Sequence, residues 1–193
     1  NNYGKFELEP LERGFGTTVG NALRRVMLSS MPGSAIVAVK IDGVMHEFQT
    51  IEGVVEDVTS IILNLKDVVL KNNSEEDKVL HLYADKEGEV RAGDIEADPD
   101  VEIINKDQII ATLAKGGKLD MELIVSNGRG YVPGNENKKY VENNKIGYIP
   151  IDALYSPIER ISYEVDTARV GQDANYDNCL LYTSPSPRDI SGS

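Results

Sequence analysis

From Lys66 onward the chain offers little besides short alternating segments broken by turn clusters, and this narrows the folds open to it. The stretches "VVLK", "KVLHLYA", "EVRAGDI", "VEIIN", "QIIATLA", "KLDMELIVS" and "ISYEVD" each read as a strand. Between them lie "KNNSEED", "DKEGE", "AKGGK" and "PGNENKK", built from residues that reverse a chain. Ahead of this region, "KFELEPLE" sets Phe6 and Leu8 against charged neighbours and predicts a strand that Pro10 stops. "SAIVAVKIDGV" predicts a strand with a turn at Asp42-Gly43, and "MHEFQTI" the return strand of a hairpin. Two segments carry a helical period. The first runs from about Thr17 to Ser30 and ends at "MPG". The second lies in "EGVVEDVTSIILNLKDV", with Val54, Val58, Ile61, Ile62 and Leu65 on one face. No repeat is visible, and "GNENKKYVENNK" reads as a polar loop. Few helices among many short strands define the α+β class.

A length of 193 residues suits one domain or two small ones, and a hydrophobic content of 40% supports a core. No apolar run approaches the ~20 residues that span a bilayer, so no membrane association is expected. No basic-then-apolar leader opens the chain, and a segment preceding its non-methionine start is expected. The net charge of −12 argues against broad binding to DNA or RNA, which needs clustered Lys and Arg. It leaves open membership of a nucleic-acid machine whose basic groove lies on another subunit. A single cysteine, Cys179, allows no internal disulfide, and the cytoplasm is the expected compartment.

At Cys179 the text changes character. "CLLYTSPSPRDISGS" has no period and is rich in Ser and Pro. Its first part, "CLLYTSPSPRD", resembles a translated adapter of transposase-based sequencing libraries; the other reading is a natural disordered tail. Residues 179–193 are therefore set outside the expected fold as a non-native tail.

The first helix raises the functional question. At about 100° per residue, Phe15, Val19, Ala22, Leu23, Val26 and Met27 fall within an arc of roughly 140°, an expected core face. The opposite side carries Thr17, Asn21, Arg24, Arg25 and Leu28. Leu28 reads equally well as a scattered surface leucine and as an apolar docking anchor beside arginine. Gly14, Gly16 and Gly20 are spaced one residue off the dinucleotide fingerprint, and no G-K-[ST] follows. They are expected to let the helix approach a neighbour closely. A stand-alone anion- or nucleotide-binding domain using this helix start is the alternative function.

Catalytic chemistry is not legible. His46 and His81 both fall in strand-like alternation and are expected to be structural or surface residues. Asp94, Glu96 and Asp98 occupy the first, third and fifth places of a calcium loop, but Pro99 and Asn105 stand where glycine and glutamate are needed. "NGRGYVPG", with Arg129 and Tyr131, reads as a hairpin tip or a contact loop. The residues thus point to an assembly component without naming the assembly.

Four blocks carry a resemblance: "LEPLERGFGTTVGNALRRVMLSSMPG", "IDGVMHEFQTIEGVVEDVTSIILNLK", "GRGYVP" and "IPIDALYSPIERISYEVDTARVGQ". In this order they closely resemble the N-terminal domain of bacterial RNA polymerase α subunits, almost continuously from about Lys5 to Asn178. The resemblance implies a dimerisation subdomain from residues 1–32 plus 159–178, and an inserted, mostly β subdomain from 33–158 that reaches the large subunits. It implies a scaffold in which two α copies nucleate assembly of β and then β′, within a nucleotidyltransferase whose catalytic magnesium belongs to those subunits. No cofactor and no catalytic residue are then expected here. Arg25 and Leu28, with Arg24 beside them, match positions that contact β. Lys66, Ile151 and Ile158 match positions associated with β′. Phe15, Val19, Leu23, Val26 and Met27 are assigned to the subdomain core and the α–α contact. A long helix and a DNA-binding domain follow this region in the family, so this chain is expected to dimerise poorly and not to bind promoter DNA.

Overall fold

The computed structural model describes residues 4–139, 146–156, 158–171 and 173–185. They fall into two compact units: the chain up to Met31 with that from Ser156 onward, and Pro32 to Tyr155.

The first unit is an antiparallel sheet carrying one helix. Strands β1 (Gly4–Glu12), β12 (Ile158–Val170) and β13 (Asp173–Pro185) lie in the order β1-β13-β12, and helix α1 (Phe15–Ser30) packs on β12 and β13. Pro10 does not stop β1. The strand lies at a sheet edge, and its pairing shifts register between Leu8 and Leu11, a place where a missing N–H breaks no regular ladder bond. The segment from Cys179 also departs from expectation. Leu180 pairs with both Glu7 and Glu164, and the ladder continues past Cys179 on both sides. Cys179 and Leu181 are buried. "CLLYT" is short, apolar and β-prone, and it fills the central position between two strands that need a partner. Residues 186–193 lie outside the described set.

The second unit is built around a four-stranded antiparallel sheet in the order β10-β2-β8-β4: β2 is Pro32–Ile41, β4 Lys78–Ala84, β8 Leu119–Arg129 and β10 Ile149–Pro150. Residues Ala35 to Val39 of β2 are all buried, because both faces of this sheet are covered. Ile36, Val39 and Ile41 join a large cluster with α2 (Val58–Lys66), while Ala35, Val37 and Ala38 join a smaller one with Ile124, Tyr148 and Tyr155. Even-numbered Ile36 and odd-numbered Val39 share a face because the register shifts between Ile36 and Ala38. One extra residue in the strand exchanges its faces.

Helix α2 starts where the Asp57 carboxylate accepts from Ser60 N–H at 2.9 Å; the Ser60 hydroxyl first, then this N–H, holds the carboxyl below the usual range. Val58, Ile61, Ile62 and Leu65 are buried as the period predicts. Val54 stays outside the helix and bridges Leu113. The remaining strands form small pairs: β3 (Leu70–Asn72) with β6 (Val101–Ile103), β5 (Gly88–Arg91) with β7 (Ile109–Leu113), and β9 (Tyr131–Val132) with β11 (Ala153–Leu154). The turn at Asp42-Gly43 is present, with Gly43 at φ 78°, but "MHEFQTI" is not a return strand. Gln49 Oε1 accepts from the N–H groups of Met45 and His46, which folds the segment into a compact loop. The places beside β2 go to β8, an eleven-residue strand with a buried apolar run, and to the short β10.

At the end of the sheet, Gly33 and Gly128 face each other across the β2–β8 ladder. Tyr155 lies on both: a Cβ on Gly33 would sit 1.8 Å from the Tyr155 carbonyl oxygen, and one on Gly128 2.7 Å from its ring. Gly33→Ala is expected to destabilise the protein by about 1–3 kcal/mol through this overpacking, measured as a lower urea midpoint at unchanged m-value.

Candidate functional site

Two surfaces collect the residues singled out in the sequence, one in each unit.

On the first, α1 begins at Gly14, whose φ of 90° is open to glycine, and no side chain of the helix's own first turn caps it. The cap comes from β13. Gly14 N–H donates to Asp177 Oδ2 at 2.8 Å, and Gly16 N–H donates to the same oxygen at 3.3 Å. A carboxylate at a helix N-terminus satisfies orphan donors and meets the positive end of the helix dipole. The anion site that the glycines suggested is therefore already filled by the chain's own side chain. This removes the structural basis for the anion- or nucleotide-binding alternative.

The glycines do bring α1 close to its neighbours. Gly16 and Gly20 are its fully buried residues. A methyl group on Gly20 would lie 2.6 Å from the Tyr163 ring, and one on Gly16 2.7 Å from Val165. The seam runs through Gly16, Gly20, Leu23 and Met27, with Val19, Leu23 and Met27 half-buried. This corrects the expected core face. Phe15 and Val26 are 53% and 57% exposed and, with exposed Ala22, form an apolar stripe beside the seam. The physical reason is distance: a helix seated on glycines lies too near the sheet for large side chains to fit beneath it.

Arg24 and Arg25 are exposed, and among the described residues neither makes an ion pair. Leu28 is half-buried beside them, so it is neither a fully exposed leucine nor a core residue. Ser29 Oγ donates to the Arg25 carbonyl at 2.6 Å and ties down the last turn. The helix thus presents two free guanidinium groups and part of a leucine, a composition enriched at interface centres.

On the second surface, Asp152 is the organising group, one that sequence reasoning passed over. Lys66 Nζ, at the end of α2, donates to Asp152 Oδ2 at 3.0 Å. Gly134 N–H donates to Oδ1 at 2.7 Å, and the Tyr131 hydroxyl bonds the same carboxylate. The Gly134 N–H first, then Lys66, hold this carboxyl below its usual range, while the hydrogen bond to it, then burial, raises the Tyr131 phenol. "GRGYVPG" is thereby more than a hairpin tip: its Tyr131 and Gly134 are anchored to the residue after Ile151. Ile151 itself is 2% exposed and packs in the large cluster, so it supports this surface from beneath and is not presented on it. Ile158 opens β12, and its side chain lies outside the described set. Lys66 and Ile151 are thus brought to one place, and Ile158 is not described with them.

A groove of about 470 Å³ flanks Asp152, lined by Met45, His46, Phe48, Lys138 and Tyr148 among others. Met45 and Phe48 are exposed there. His46 Nδ1 accepts from Phe48 N–H at 3.3 Å, a local structural role in a loop and not a strand. His81 is in β4 as expected, 3.8 Å from Glu122, whose other oxygen bonds the Tyr148 hydroxyl; burial, then that carboxylate, pushes the phenol up. Residues 140–145 of the polar loop lie outside the described set. Among the described residues there is no group of three His, Cys, Asp or Glu side chains placed to hold a metal, and no helix is long and apolar enough to cross a membrane.

The architecture is a helix on a three-stranded sheet in one unit and a helix-covered four-stranded sheet in the other. Residues 39–156 match the family model described as the RNA polymerase Rpb3/RpoA insert domain, and the chain belongs to that family. The chain is 59% identical over 181 residues to the DNA-directed RNA polymerase subunit alpha of Symbiobacterium thermophilum, covering 94% of this chain and 57% of that protein. It is 56% identical over 179 residues to the same-named protein of Moorella thermoacetica, covering 93% and 56%. For that of Desulforamulus reducens the figures are 56% over 181 residues, covering 94% and 57%. The chain therefore spans little more than half the length of these relatives.

Two outcomes are expected. Phosphate or nucleotide at millimolar concentration leaves the melting temperature unchanged, since Asp177 holds the helix N-terminus; a rise that saturates would contradict this. Asp152→Asn lowers stability at pH 7 by about 0.5–1 kcal/mol, a figure discounted for the partial exposure of this ion pair. Because the folded carboxyl is depressed, its contribution is present above the ordinary pKa of about 3.9 and fades as pH falls through the folded value. The gap between parent and variant should close in acid denaturation curves taken below about pH 4.

Proposed function

We propose that this chain is the scaffold portion of a bacterial RNA polymerase α subunit, acting in the cytoplasm in DNA-templated transcription. The chain is itself non-catalytic, and the nucleotidyl transfer and its magnesium belong to β and β′. Residues 1–32 with 159–178 are the dimerisation subdomain, and 33–158 the subdomain that reaches the large subunits. The exposed stripe of Phe15, Ala22 and Val26 serves the contact with a second α copy. Arg24, Arg25 and Leu28 meet β, and the Lys66–Asp152 surface meets β′, with Ile151 beneath it; Ile158 is assigned to β′ by resemblance alone. Direct DNA binding is not a task of this chain, whose net charge is −12.

The observation that carries the reading is the outward side of α1. Two arginines without an ion pair among the described residues, beside a half-buried leucine, are poorly explained by the stability of the unit. They are well suited to a desolvated contact in which a planar guanidinium forms paired hydrogen bonds.

The test is co-purification. The chain is tagged in the context of a full-length α subunit, expressed in bacteria, and the captured proteins are identified by mass. β and β′ are expected with the parent and at least about tenfold depleted with Arg25→Ala, the loss of a strong interface residue. Their absence from both samples would overturn the scaffold reading, and their retention in both would overturn the role of Arg25.

A further inference from the structure

Helix α1 has an unusual attachment. Its first turn contains Gly14 and Gly16 and no capping side chain of its own. Both N–H groups converge on one oxygen, Asp177 Oδ2, contributed by a strand more than 160 residues later. Asp177 sits in the central strand of its sheet, paired with Leu11 on one side and Thr167 on the other, so its backbone is fixed from both flanks. A Cβ on Gly16 would lie 3.2 Å from Asp177 Cβ, so helix and strand touch where the carboxylate binds.

From the geometry we infer that Asp177 is a positioning residue for the β-contact face of α1. This rests on the assignment of Arg25 and Leu28 to β made above. Asp177 holds the end of the helix from which that face is suspended. Gly16 to Leu28 spans twelve residues, about 18 Å of helix at 1.5 Å per residue. A tilt of about 5° at the capped end then moves Leu28 by about 1.6 Å. A rigid, well-packed interface centre does not absorb such a displacement. The next contact along the helix, Gly20 on the Tyr163 ring, is a van der Waals contact that resists approach and does not resist sliding. The carboxylate supplies the directional bonds.

The experiment measures β-subunit affinity and thermal melting for a full-length α subunit carrying this region. The variants are Asp177→Ala, Asp177→Asn, Arg25→Ala and the double variant Asp177→Ala/Arg25→Ala. Asp177→Ala is expected to weaken β binding roughly tenfold while the protein stays folded. Asp177→Asn, whose side-chain oxygen still accepts both N–H bonds, is expected to restore most of the affinity. Arg25→Ala should lose most of its own effect in the Asp177→Ala background, because both act through one face. A merely structural role predicts effects that multiply independently, with affinity lost only in step with the fall in melting temperature. If Asp177→Ala does not fold, Asp177→Ser, whose hydroxyl is a bond too short to reach both donors, takes its place. Unchanged affinity in the folded variant, or fully independent effects, would overturn the inference while leaving the scaffold reading intact. If Arg25→Ala alone fails to weaken β binding, the scaffold assignment of this face falls, and the inference falls with it.

Discussion

The larger unit depends on the burial of one strand, β2, from both sides. A strand covered on both faces cannot slip by a residue without exchanging two sets of side chains, and here the sets differ in size. Ile36, Val39 and Ile41 face α2 and the large cluster, whereas alanines, with Val37, face the smaller one. The shift between Ile36 and Ala38 keeps the bulky residues on the α2 side along the whole strand. Everything placed on this sheet inherits that register, including β10, whose pairing with Val39 and Ala38 leads directly into Ile151 and Asp152.

The smaller unit follows a different rule, that of close approach. A helix usually meets a sheet through large apolar side chains. Helix α1 meets it through Gly16 and Gly20, with the Tyr163 ring and Val165 filling the space the missing side chains leave. With the seam built from glycine, leucine and methionine, the remaining large residues of the helix are free to form a second apolar surface. The arginines are left on a third.

Carboxylates fix the elements behind both surfaces. Asp177 fixes the start of α1 by accepting from two backbone N–H groups. Asp152 gathers the end of α2, the Tyr131 hydroxyl and the Gly134 N–H. In each case an acceptor with several lone pairs joins segments far apart in sequence, which an apolar contact of similar area could not do with the same directionality.

Much of this was legible in the residues. Period and turn chemistry located both helices, the turn at Asp42-Gly43 and most of the strands of the larger unit, because these features are local. The glycines of α1 announced a close approach, since few other roles suit three glycines in seven residues. Local pattern failed where partners compete. "MHEFQTI" alternates like a strand, yet β8 and β10 take the positions beside β2. Pro10 reads as a stop, yet an edge strand with a register shift tolerates it. "CLLYT" reads as the start of a structureless tail, yet two strands in need of a partner enclose it. The exposure of Phe15 and Val26, the burial of Ile151, and the roles of Asp152 and Asp177 all depend on which segment lies opposite. The sequence by itself determined the α+β class, the two helices and the arginine-bearing face, which depend on spacing along the chain. Only the tertiary structure decided which apolar stripe of α1 is covered and which carboxylate closes each surface, because those choices are made by residues more than 80 positions apart.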